Sequence, residues 1–228
     1  VGMFGRTDFG IIKNLGLTNV SIIGGKLVGG MVGSIWCTTF VNCFTSGNIS
    51  SSLSFISGQS VGGFAGLARG RLSIKTSYSS AIVNATSSLG DKSTFIGGFI
   101  GQARFSKGEN VEIINCYSVG KINSSNDHVY AGGFFGELTY WDYGGVILDV
   151  NNIKGIQSLL WDIDVSGQTV SAKAIGKKTY EMKSAINFIN AGWSTDNWFF
   201  KENSYPLLKW QKKENQIDVK SFLQGAEI

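Results

Sequence analysis

Proline and histidine are almost missing from this chain. Pro206 and His128 are the single representatives of their types in 228 residues. One histidine, set in the turn-like "NSSNDHVY", leaves Ser/His/Asp and Cys/His nucleophilic catalysis without a placed base. Zinc would want CxxC spacing or further histidines, and neither occurs. The three cysteines, Cys37, Cys43 and Cys116, make no even disulfide framework and read as small buried hydrophobes. No run reaches the ~18 apolar residues of a bilayer span, so no membrane insertion of this segment is expected. Charge is sparse as well, at 16% of residues with a net +4. With no basic helix or Arg-rich stripe, this argues against nucleic acid as a partner. Helical periodicity is absent before about residue 150.

Glycine is abundant instead, at 31 residues. Many of them recur in one phrase: "VGGMVGS" from Val28, "VGGFAGL" from Val61, "IGGFIGQ" from Ile96 and "AGGFFGE" from Ala131, with a trimmed "VGMFGR" at Val1. The pairs begin at Gly29, Gly62, Gly97 and Gly132, a spacing of 33 to 35 residues that signals a repeat architecture. A second phrase follows each of the first three copies: "FVNCFTSGNI" from Phe40, "IKTSYSSAIV" from Ile74 and "IINCYSVGKI" from Ile113. Asn42, Thr76 and Asn115 align, as do Cys43, Ser77 and Cys116, and Phe44, Tyr78 and Tyr117.

Alternation along Val61–Gly66 puts Val61, Gly63 and Ala65 on one side and Gly62, Phe64 and Gly66 on the other. Both sides are small or apolar, as in a strand covered on both faces. Glycine is costly in a strand unless a neighbouring backbone must come close. Stacked repeats would line up Met31, Phe64, Phe99 and Phe134 as an apolar ladder. The fold expected is all-β: a right-handed parallel β-helix-like solenoid of 33- to 35-residue repeats with a small mixed C-terminal cap. Cys43 and Cys116 would then lie two rungs apart, roughly 10 Å, beyond disulfide reach.

The GG-aromatic-x-G phrase followed by I-x-N-C-Y-S-x-G resembles the GLUG motif of large bacterial surface and secreted proteins. The tail segments "WDIDVSGQTVSA" from Trp161, "KKTYEMK" from Lys177, "AGWSTDNW" from Ala191 and "SYPLLKW" from Ser204 resemble the segment that often closes such arrays. The resemblance implies a solenoid outside a bacterial cell, in filamentous-haemagglutinin-like adhesins or the non-catalytic N-terminal part of IgA-specific metallopeptidases. Two copies depart from the pattern, at "KTSYSSA" and around "FSKGENVE".

Three stretches follow: repeats over 1–150, a capping segment over 151–211 with one short helix in Thr179 to Asn190, and a charged tail or linker over 212–228, with lysines at 209, 212, 213 and 220. The aromatics Trp193, Trp198, Phe199, Phe200, Tyr205 and Trp210 read either as cover for the open end of the stack or as a sugar site. Paired carboxylates for glycan cleavage would have to come from Glu137, Asp142 and Asp149, which read as solvated edge charges. "DIDVSGQ" from Asp162 opens like a calcium loop, but Lys173 stands where the closing bidentate Glu belongs. No metal, cofactor or reaction is therefore expected. The best single ligand candidate is "TYWDYGG", where Tyr140, Trp141, Asp142 and Tyr143 would form a stacking platform for a glycan.

The function expected is a stalk or binding segment of a secreted or surface adhesin, part of a longer polypeptide, as its start in mid-phrase suggests. It would meet a host-cell or matrix protein or a surface glycan. The alternative is an accessory domain of a secreted protease or glycan-degrading enzyme.

Overall fold

Each glycine phrase turns a corner at its centre. In the computed structural model, which describes residues 1–51, 58–86, 94–124 and 129–211, the phrase does not form the single strand that simple alternation suggests. It forms two. The first halves, Leu27–Gly29, Gln59–Gly62, Thr94–Gly97 and Val129–Gly132, pair in parallel as a first sheet. The second halves, Val32–Trp36, Ala65–Arg69, Ile100–Ser106 and Phe135–Trp141, pair in parallel as a second sheet, which Phe4–Asp8 extends. The fold is mostly β, and these sheets are parallel throughout.

The corner explains the glycines. A Cβ added at Gly62 would strike the Ala65 carbonyl oxygen and the Gly101 amide, and one at Gly97 would strike the Ile100 carbonyl. The obstacles are backbone, which has no rotamer with which to yield. The two halves of the phrase fold so closely on each other that no side chain fits between them. Inside the corner Phe64, Phe99 and Phe134 stack with ring centroids 4.7 Å apart at each step, all fully buried, with Met31 continuing the column.

The second phrase builds a third sheet, also parallel, including Gly16–Gly24, Phe44–Ser51, Leu72–Ser79, Val111–Ser118 and Ile156–Asp162. Its register pairs Ser77 with Cys116 and Tyr78 with both Phe44 and Tyr117, the alignment legible in the sequence. At the Asn position the backbone is left-handed: φ is 53° at Asn14, 55° at Asn42, 49° at Thr76, 54° at Asn115 and 55° at Ser158. Asn tolerates this conformation better than most residues. The kink breaks alternation, so that Ile113 and Cys116, three residues apart, both face the interior while Tyr117 faces out. Cys43 and Cys116 are free and buried, with Ser77 between them. Burial raises the Cys43 thiol to about 11.

The expected cap divides into two parts. Residues near 170 close the last rung: the Gly133 amide donates to the Val170 carbonyl, and the Phe134 and Phe135 amides donate to Ser171 Oγ. The later aromatics do not lie over that end. They run back along the outer flank of the third sheet, where Phe188, Trp193, Trp198 and Leu208 bury against Phe44, Tyr78 and Tyr117. Tyr117 donates its hydroxyl to the Pro206 carbonyl at 2.6 Å, and Trp210 Nε1 reaches Asn42 O at 3.0 Å. The single helix expected over Thr179–Asn190 is two, Thr179–Met182 and Ala185–Asn190, and Ile163–Ser166 forms another turn. The break at Lys183 and Ser184 lets Asn187 Nδ2 join the Ser184 amide in donating to the Glu181 carbonyl at the helix end. His128 and the tail from residue 212 lie outside the described residues.

Candidate binding groove

The outer face of the second sheet is built from columns of equivalent residues. One column runs Asp8, Trp36, Arg69, Arg104 and Thr139, and another runs Arg6, Ser34, Leu67, Gln102 and Glu137. The first sheet meets this face at an angle and adds Leu27, Ser60 and Phe95. Together they enclose a groove of about 540 Å³. A shallower recess of about 360 Å³ continues it past Arg69 and Arg104, with Trp36 and Trp141 on its walls.

The cations of this face are unequally matched. Arg6 pairs with Asp8 at 3.0 Å, and Arg104 Nε stands 3.8 Å from Glu137 Oε2. Glu137 is shared, because Gln102 Nε2 donates to the same oxygen at 2.5 Å. Arg69 has no carboxylate within ion-pair distance among the described residues, and its buried Nε–H has no hydrogen-bond partner. Burial first, and the adjacent Arg104 second, lower the Arg69 pKa below its ordinary value.

The four residues of the expected platform do not share a face. Tyr140 turns inward and packs against the core. Trp141, next along the strand, turns outward into the recess and donates its Nε1–H to Thr139 Oγ1 at 3.1 Å. Asp142 Oδ1 accepts the amides of Gly144 at 2.9 Å and Val146 at 2.8 Å, so its carboxylate shapes the turn. Tyr143 is 84% exposed and lies near Gly108. Only Trp141 of the four lines the groove.

The other acids also have structural partners. Asp149 accepts the Asn151 amide as the cap of a 3₁₀ turn. Asp162, fully buried, accepts from the Val165 amide, the Thr179 hydroxyl and the Tyr205 hydroxyl, so "DIDVSGQ" is a helix cap rather than an ion loop. Among the described residues no group of three or more His, Cys, Asp or Glu side chains is placed to hold a metal. No helix among them is long and apolar enough to cross a membrane.

Trp36, Arg69 and Arg104 do not stand out in the sequence as site residues, although a signal is there. Each stands seven residues after the first glycine of its pair, at Gly29, Gly62 and Gly97. No family model, curated protein or solved structure matches the chain.

Proposed function

We propose that this chain is a binding segment of a large bacterial surface or secreted adhesin, its three parallel sheets wound as a right-handed β-solenoid of the GLUG type. The segment binds without transforming what it holds. The observation that carries this reading is the contrast between faces. The Phe64–Phe99–Phe134 and Phe44–Tyr78–Tyr117 columns are sealed against the core or under the tail, while Trp36 and Trp141 flank a groove open to solvent. A rigid stack of repeats presenting one such groove suits attachment better than catalysis. Of the acids that turnover would need, Asp142 and Asp149 are committed to a turn and a cap, and Glu137 is held by Gln102 beside Arg104.

Surface attachment tests the reading. Beads coated with the segment should adhere to host cells or to matrix glycans on an array, and Trp141→Ala should weaken that adhesion with its melt nearly unchanged. Adhesion no greater than that of uncoated beads would overturn it.

A further inference from the structure

The groove carries a more specific message, which rests on the binding-module reading and deepens it. We infer that it takes an acidic polysaccharide, whose carboxylate or sulfate groups sit on Arg69 and Arg104 and whose sugar rings lie against Trp36 and Trp141.

Arg69 and Arg104 are direct register partners on neighbouring strands. At a strand spacing of about 4.8 Å, like charges so placed repel each other unless an anion lies between them. Among the described residues Arg104 Nε stands 3.8 Å from Glu137, Arg69 has no carboxylate in reach, and the buried Nε–H of each lacks a hydrogen-bond partner. Arg69 lines both the groove and the recess, and a guanidinium without a carboxylate partner is suited to a planar or tetrahedral anion, which it meets with charge-assisted hydrogen bonds. The anion that completes the pair comes from outside the described chain.

The indoles define the shape of the ligand. Trp36 and Trp141 stand three strands apart in the second sheet, roughly 14 Å at the usual strand spacing, with the two arginines between them. That span suits a short oligosaccharide, with a ring resting on each indole and charge near the middle. The lining mixes the Ser34 hydroxyl with the apolar surfaces of Leu27, Leu67 and Phe95, as the alternating polar and apolar surface of a sugar requires, and Ser60 and Gln102, bonded to each other and to Glu137, hold the floor in place.

A polyphosphate backbone fits less well. Nucleic acid brings closely spaced negative charge and needs cations along its whole path. Here Lys26 adds one more cation to the lining, but Arg6 is tied to Asp8, and Glu137 and Glu109 stand toward the Trp141 end. A uronate or a sulfated sugar carries its charges farther apart, and two arginines answer it.

Titration calorimetry with the full chain tests the inference. The probes are galacturonate oligomers, dextran sulfate, neutral dextran and an oligothymidylate. One of the two acidic glycans should bind, weakening as salt rises, and which one binds separates carboxylate from sulfate recognition. Arg69→Gln and, separately, Arg104→Gln should each weaken it roughly tenfold or more, while Lys201→Gln, an equal charge loss elsewhere, should not. The melts of the arginine variants should hold or rise, because a repulsion is removed. Equal binding of neutral dextran, tighter binding of the oligothymidylate, or a folded Arg69→Gln chain that binds like the parent would each overturn the assignment. Cell attachment that survives in Arg69→Gln overturns the groove and leaves the adhesion reading standing. Acidic-glycan binding without cell attachment supports the groove and defeats adhesion.

Discussion

Two outward faces of the same stack have met opposite fates. On the third sheet Phe44, Tyr78 and Tyr117 stack at 5.0 and 4.8 Å and are roofed by the C-terminal aromatics. On the second sheet the equivalent column reads Trp36, Arg69, Arg104 and Thr139, and it remains open. Both columns arise from repeats in register, so the difference lies in what the chain places over them. The covered column keeps a ring at three successive rungs and continues with the buried Leu160, because each apolar group gains from burial. An open column changes residue from rung to rung, because solvent does not demand an apolar group there. Variation inside an otherwise regular repeat therefore marks the face available for recognition.

The largest effect expected belongs to neither outer face. Phe99→Ala removes a ring held between two stacked neighbours in the sealed corner. It should cost about 3–5 kcal/mol in a denaturant melt, through lost burial and the cavity left behind. A loss below about 1 kcal/mol would mean the Phe column is not the core.

On the covered flank, Tyr117→Phe should cost about 1–3 kcal/mol, since the buried Pro206 carbonyl loses its donor. The same flank should be sensitive to alkali. Burial raises the Tyr78 phenol to about 12 and the Tyr117 phenol well above its ordinary value. Phenols in the unfolded chain ionise near 10. Stability from these groups is therefore complete below about pH 10 and is lost as pH rises toward the folded values. Melting temperatures measured from pH 8 to 11 should stay level and then fall, and the fall should be smaller in Tyr117→Phe. An equal fall in both would place the alkaline weakness elsewhere.

A smaller effect, and a gain, is expected at Thr76. Asn42 Nδ2 donates to Asn14 Oδ1 at 3.1 Å, but the buried Asn42 Oδ1 has no partner. The next rung holds Thr76, a β-branched residue in the left-handed region. Thr76→Asn would relax that backbone and extend the amide ladder by one step, stabilising by about 1 kcal/mol. A variant less stable than the parent would refute the ladder.

The smallest effect on stability is reserved for the open face. Trp141→Ala should shift the melt by less than about 1 kcal/mol, as expected of a half-exposed side chain. A collapse of the melt would make Trp141 a structural residue and close the comparison between the faces.

The repeats are plain in the order of the residues. The GG spacing and the aligned Asn, Cys and Tyr positions imply the parallel register, because residues stacked at one interior site must have compatible sizes. The Phe ladder is legible for the same reason. The corner inside the glycine phrase is not. A strand and a strand that bends at its middle show the same short alternation, and what separates them is how closely the backbone approaches itself, within the phrase and against the next rung. The groove is half legible: Trp141 stands out as an aromatic in a cluster, while Arg69 and Arg104 look like scattered surface charges.

Periodicity, being a property of the chain, by itself determined which residues stack on which. Whether a column is sealed or open depends on where the tail runs, and whether two arginines become neighbours depends on the strand register. Those are matters of distance, and only the tertiary structure decided them. The same holds for Asp162, whose carboxylate became a helix cap once Thr179 and Tyr205 were brought to it. A residue's type sets the bonds it is able to make, and the fold selects its partners by bringing remote groups within the few ångströms over which those bonds act.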